Sequence, residues 1–179
     1  MGPDDDATVL SAMRSCGCGT ITTLTSPGTG EAGFMRVVIG SDHAGFEQKQ
    51  RLVQHLQESG VDLVDVGTTN GQDSVDYPDF AIAAARKVAA GEADLGVLVC
   101  GTGIGMAIAA NKVPGARAAN VTDPEFARLA REHNDANIVT VSARFVPVQT
   151  NQEIIDLFLS TEFAGGRHAT RVAKIEAAR

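Results

Sequence analysis

Residues 94–106 read Asp94-Leu95-Gly96-Val97-Leu98-Val99-Cys100-Gly101-Thr102-Gly103-Ile104-Gly105-Met106. The apolar run to Val99 reads as a buried strand, and it breaks at Cys100 into three glycines on alternate positions. Met106-Ala107-Ile108-Ala109-Ala110 then reads as a helix. A strand feeding a glycine-rich turn and a helix N-terminus makes an anion site, because free N–H groups point at the ligand and the dipole adds roughly half a positive charge. Cys100 stands at the lip of that cradle, where a thiolate is stabilised. A base beside an oxyanion cradle is what proton abstraction next to a carbonyl requires. Two blander readings stay open here. Cysteine is among the most buried residue types, so Cys100 could be inert. A dinucleotide fingerprint fits less well, since Met106 stands where G-x-G-x-x-G wants its third glycine.

Working outward, the chain totals set limits. A length of 179 residues is enough for one domain with a sizeable core. The net charge of −7 argues against a nucleic-acid binder, which would show a broad basic face, so an anionic substrate needs a local Arg or Lys cluster. Cys16, Cys18 and Cys100 do not make a disulfide framework, which points to a reducing, cytoplasmic setting. No apolar run approaches the ~20 residues of a membrane span. Residues 1–34 differ from the rest: an acidic start (Asp4-Asp5-Asp6), then Ser, Thr and Gly without amphipathic period, and none of the pattern of a signal peptide. They read as a disordered extension, with a single folded domain over 35–179. Cys16-Gly17-Cys18 lacks the further Cys or His that a metal site needs.

From Met35 strand and helix alternate. Strands are expected at 36–40, 61–67, 94–100, 116–121 and 136–141, with helices over 46–59, 80–90, 106–110, 125–134, 149–159 and from 167 to the end. Gly60 caps the first helix, and Asp123-Pro124 opens the one at 125. Five strands alternating with helices specify an α/β, Rossmann-like three-layer sandwich with a parallel sheet, expected in the order 2-1-3-4-5. Ligands bind at the switch point between the first and third strands, outside their carboxyl ends. Asp42 and His43, in the turn after the first strand, are thereby brought beside Cys100. Without that placement they would read as an N-cap and an exposed His.

Three further features are expected at the same edge. Phe126, Leu129, Ala130 and His133 fall at i, i+3, i+4 and i+7, an inward stripe that ends on a histidine in the last turn. Arg144 follows the fifth strand. Arg167, Arg171 and Lys174 share one face of the final helix, after Gly165-Gly166, and two arginines so placed can clamp a phosphate with forked hydrogen bonds. His55 and His168 read as solvent-facing.

The segments G-S-D-H-A-G (40–45), D-Y-P (76–78), C-G-T-G-I-G (100–105), A-A-N-K (109–112), R-E-H-N (131–134) and G-G-R-H (165–168) together resemble the ribose-5-phosphate isomerase B family, the sugar-phosphate isomerases that also include galactose-6-phosphate isomerase subunits. The resemblance covers the folded unit in order and leaves 1–34 without a counterpart. It implies an aldose–ketose isomerase acting on a sugar phosphate through an enediolate. Cys100 would be the base between carbons 1 and 2. Thr102 and His133 would assist ring opening, with Asp42 holding hydroxyls. The amides of Gly101, Gly103 and Gly105, with Asn134, would stabilise the enediolate. His43, Arg144, Arg167 and Arg171 would surround the phosphate, and Tyr77 would line the sugar site. Some relatives carry a Glu at the place of Met106; this chain has the thiol instead. The resemblance also implies no metal or organic cofactor, and a homodimer, or a pair of dimers, with sites shared between subunits. Isomerases of allose 6-phosphate or galactose 6-phosphate, and a non-catalytic sugar-phosphate-binding module, are the alternatives. A free thiol titrates near ~8.5, so a thiol base at neutral pH draws on positive surroundings.

Overall fold

The computed structural model describes residues 34–178. The expected extension, with Cys16 and Cys18, therefore lies almost wholly outside the described residues. The chain runs β1 (Arg36–Ser41), a 3-10 turn (His43–Gly45), α1 (Phe46–Glu58), β2 (Asp62–Asp65), α2 (Tyr77–Ala89), β3 (Leu95–Cys100) and α3 (Ile104–Ala110). It continues with β4 (Ala118–Asn120), α4 (Pro124–Asn134), β5 (Ile138–Ser142), α5 (Val148–Ser160) and α6 (Arg167–Ala177). Every strand pairing is parallel.

Strand side chains alternate between two faces, and each face has its own core. Val37, Ile39, Val97, Val99, Val139 and Val141 pack on Leu52 and Leu56 of α1, Ala127 and Ala130 of α4, and Ile154, Ile155 and Phe158 of α5. Val38, Leu98, Cys100 and Ile138 pack on the other side against Ala81, Ala84, Ala85 and Val88 of α2 and Met106 and Ala110 of α3. The alanines let α2 and α3 lie close to the sheet. The result is the expected three-layer sandwich.

The order is β2-β1-β3-β5-β4, not 2-1-3-4-5. The physical reason lies in strand hydrophobicity. All five residues of Ile138–Ser142 are buried, as a strand with neighbours on both sides must be, whereas Ala118–Asn120 is three residues long and no more than half-buried. Such a strand suits an edge, and so does the exposed β2. The switch between β1 and β3 is unaffected by the exchange.

Local chemistry sets the element ends. Asp123 caps α4 by accepting from Glu125 N–H at 2.9 Å, and Pro124 follows it. Gly60, at φ 77°, closes α1 by donating to the Gln57 carbonyl at 3.1 Å. α2 begins three residues earlier than expected, at Tyr77, with Pro78 in its first turn. The inward stripe of α4 is Ala127 and Ala130; Phe126, expected to face in, is 62% exposed.

Candidate active site

β1 and β3 bring two turns together. Ser41 pairs with Val99, so Asp42 comes level with Cys100, and Cys100 in turn pairs with Ser142 of β5. Asp42 is buried, and its carboxylate accepts from Gly45 N–H at 3.0 Å, which closes the 3-10 turn. That turn lies directly on the end of β3: a Cβ at position 45 would overlap the Val99 carbonyl and sit 3.1 Å from Cys100 N. Glycine is the residue that permits this approach.

The cradle is a tight turn around sulfur. Gly103 N–H donates to Cys100 Sγ at 3.1 Å, so the sulfur acts as acceptor, the role a thiolate fills better than a thiol. Gly103 adopts φ 79°, the left-handed region that favours glycine, and any side chain there would overlap the Asn120 amide. Asn120 donates to the Thr102 carbonyl at 3.3 Å and to Thr140 Oγ1 at 3.0 Å, which fastens the turn to β4 and β5. Ser142 Oγ donates to the Gly101 carbonyl at 2.8 Å. Thr102 is exposed at the rim, its Oγ1 accepting from Ile104 N–H at 3.3 Å. Neither Asn120 nor Ser142 is among the residues expected from the sequence, although both end strands at the edge that the switch-point rule points to.

Three more of the expected residues border this cradle. Tyr77 lies over Gly105, where a Cβ would meet its ring at 2.7 Å. Arg144 lies over Gly101, its Nε 3.3 Å from the same hypothetical atom. His43 sits beside the turn, its Nδ1 accepting from Val75 N–H at 3.2 Å. With Ala44, Phe46, Glu47, Gly71 and Gln72 it lines a cleft of about 320 Å³. A hollow of about 510 Å³ beside Phe34, Arg36, Gly60, Val61 and Asp62 contains none of the expected site residues.

The rest of the set is elsewhere. His133 and Asn134 end α4 and precede β5, whereas Arg144 follows β5. The four steps from Ile138 to Ser142 cover about 13 Å of extended chain. His133, Asn134, Arg167 and Arg171 therefore gather at the amino end of the sheet, away from Cys100 of the same chain. The expectation that they share one edge is corrected on this point: a helix antiparallel to its strands must end at their starts. The Ala164 N–H donates to the Glu132 carbonyl at 3.0 Å, and Arg117 joins Asp135 at 2.8 Å and Glu176 at 2.6 Å, so both ends of α6 are tied to this region.

His168 is buried rather than solvent-facing. Its ring stacks on His133 with centroids 4.3 Å apart and planes 3° from parallel. Burial, then the nearby His133, Arg167 and Arg171, hold its pKa below the ordinary histidine value, against the opposing pull of Glu132. His55 is partly exposed and pairs with Asp156 at 2.7 Å, a surface contact on α1. Among the described residues, no three His, Cys, Asp or Glu side chains group as metal ligands would. No helix among them is long and apolar enough to cross a membrane.

Comparisons with known proteins bear on the family and on the fold. A family model described as Ribose/Galactose Isomerase matches residues 37–175. Ribose-5-phosphate isomerase B of Escherichia coli is 43% identical over 142 residues, 79% of this chain and 95% of its own. The ribose-5-phosphate isomerase B structure from Clostridium thermocellum superposes with a TM-score of 0.78 at 49% identity, covering 80% of this chain and 96% of that one. The Mycoplasma genitalium enzyme, solved with bound ribulose-5-phosphate, gives 0.77 at 43% identity, over 80% of this chain and 95% of that one. With a thiol in an amide cradle at the β1/β3 switch point, the chain is an isomerase and belongs to the ribose/galactose isomerase family.

Proposed function

We propose that the chain interconverts ribose 5-phosphate and ribulose 5-phosphate through an enediolate, with Cys100 as the base, in a site assembled from two copies of the chain. The observation that carries this reading is the meeting of the Asp42–Gly45 turn with the Cys100–Gly105 cradle, where Cys100 Sγ already accepts an amide N–H. The relative solved with ribulose-5-phosphate supports the choice of pentose.

The steps follow from what each group can do. Thr102 and the partner's His133 move the proton that opens the furanose, while Asp42 holds hydroxyls. The Cys100 thiolate takes the proton from carbon 2, and the electron pair enters the C1–C2 bond and places charge on O1. Amides of the cradle, with the partner's Asn134, stabilise that charge. Returning the proton to carbon 1, while the proton of O2 passes to O1, gives the ketose. His43 and Arg144, with the partner's Arg167 and the partner's Arg171, hold the phosphate. That binding orients the reacting carbons and does no chemistry of its own.

Two unpartnered surfaces support the two-copy site. At the carboxyl end, Ile104, Ile108, Phe126 and Phe145 are large apolar side chains between 55% and 76% exposed. At the other end, α6 buries only His168 in its own chain. Exposed apolar groups beside an incomplete site mark an interaction face.

A coupled assay comparing ribose 5-phosphate with allose 6-phosphate and galactose 6-phosphate tests the reading. The pentose should give the highest kcat/KM. Turnover confined to a six-carbon sugar would move the substrate to the galactose side of the family, and binding without turnover would leave only a sugar-phosphate-binding module.

A further inference from the structure

Lys49 is a lysine in the core: 1% of its surface is exposed. Its Nζ donates to Asp65 Oδ2 at 2.6 Å and to the Thr68 carbonyl at 2.9 Å, and it lies 5.5 Å from the centroid of the Phe46 ring. A cation is held in such a place only where its partners repay the lost hydration, so the groups it pins are fixed as firmly as the core. Those groups begin the loop that leads from β2 to α2. Asp65 Oδ1 accepts from Gly67 N–H at 2.8 Å, and Thr68 N–H donates to the Ser41 carbonyl at 2.9 Å. Asn70 Oδ1 then accepts from Gln72 and Asp73 N–H, each at 3.0 Å, and turns the chain back. The loop ends with Val75 N–H on His43 Nδ1 and delivers Tyr77 to Gly105.

We infer that Lys49 is a positioning residue of the active site, acting through this loop to hold His43 as the neutral imidazole with its proton on Nε2. An N–H that points at Nδ1 needs a lone pair there, and a proton on Nδ1 would set two donors face to face. His43 therefore offers the phosphate an Nε2–H donor and no charge, and the arginines supply the cations. The role of His43 toward phosphate rests on the function proposed above, whereas its tautomer does not.

The test is a long-range proton–nitrogen spectrum of the full chain with labelled histidine, His43 being assigned among the four histidines by its loss in His43→Gln. Wild type should show Nδ1 unprotonated and Nε2 protonated. Lys49→Met should mix the tautomers, weaken inorganic phosphate binding and raise KM, on the order of tenfold to a hundredfold, with kcat falling less. Asp65→Asn keeps the shape of the pair and is read in the same way if Lys49→Met does not fold. A wild-type His43 protonated on Nδ1 overturns the inference. So does a folded Lys49→Met protein whose tautomer and phosphate affinity both match wild type. Failure to turn over ribose 5-phosphate would refute the proposed function and leave the tautomer measurement standing.

Discussion

The two ends of the sheet solve different problems. At the carboxyl end, backbone lies on backbone: a glycine admits the Asp42 turn against Val99, and a left-handed glycine aims an amide at Cys100 Sγ. At the amino end, charged side chains do the holding. Arg117 and Arg131 converge on Asp135, Arg117 also binds Glu176, and His133 and His168 stack above them. Under the proposed function the first end would supply the base and the anion hole but few cations. The second would supply cations and a proton carrier but no base. Each lacks what the other has, so under the proposed function a complete site requires the carboxyl end of one copy and the amino end of another.

The largest effect is expected at the carboxyl end. Cys100→Ser should fold and still bind sugar phosphate while losing about 10²–10⁴-fold in turnover, the usual contribution of a general base. Iodoacetamide should inactivate the enzyme, and substrate should protect it; the experiment is cleanest with Cys16 and Cys18 replaced by Ser. Near-wild-type turnover of folded Cys100→Ser would remove the thiol from the mechanism.

At the amino end the loss should fall on binding. Arg167→Ala and Arg171→Ala each remove charge-assisted hydrogen bonds of about 1.5–3 kcal/mol, or roughly tenfold to a hundredfold in affinity. Michaelis constants should rise more than kcat falls, and inorganic phosphate should compete poorly in both variants. Unchanged constants would place the phosphate elsewhere.

The smallest effect concerns stability. His168 has its pKa below the ordinary 6.5 in the folded chain, so the unfolded chain binds the proton more readily. Its contribution is whole above 6.5 and is lost as pH falls from there through the lowered folded value. His168→Phe keeps a ring against His133 and has no proton to take up. Its Tm should fall less than that of wild type between neutral and mildly acid pH, and parallel curves would show that His168 does not titrate this way.

Most of the carboxyl end was legible in the sequence, because its chemistry is local. Cys100, the glycines and the Asp42-His43 pair each sit directly after a strand, and the switch-point rule joins the two turns. The order of β4 and β5 was misread although the signal was present: Ile138-Val139-Thr140-Val141 is the better interior strand and Ala118-Ala119-Asn120 the better edge. The amino end was less legible. Residue spacing placed His133 on a helix face. The parallel topology already required that helix to run out at the starts of the strands, a consequence that conflicts with the one shared edge expected from the sequence. The burial of His168 depends on a stack between side chains 35 positions apart. Lys49 stands three and seven positions before Leu52 and Leu56, on their face of α1, but only Asp65 and the Thr68 carbonyl explain how a lysine is held there.

The shared site is tested most directly by mixing two crippled variants. Cys100→Ser damages the carboxyl end and His133→Ala the amino end, so each protein alone should be nearly inactive. In a mixed dimer one site carries both defects and the other carries none. After unfolding and refolding together, random pairing should restore about one quarter of wild-type turnover, with mixed dimers verified by native mass spectrometry of differently tagged chains. Turnover that stays at the mean of the two separate variants, with mixed dimers present, would mean that Cys100 and His133 do not meet across two chains.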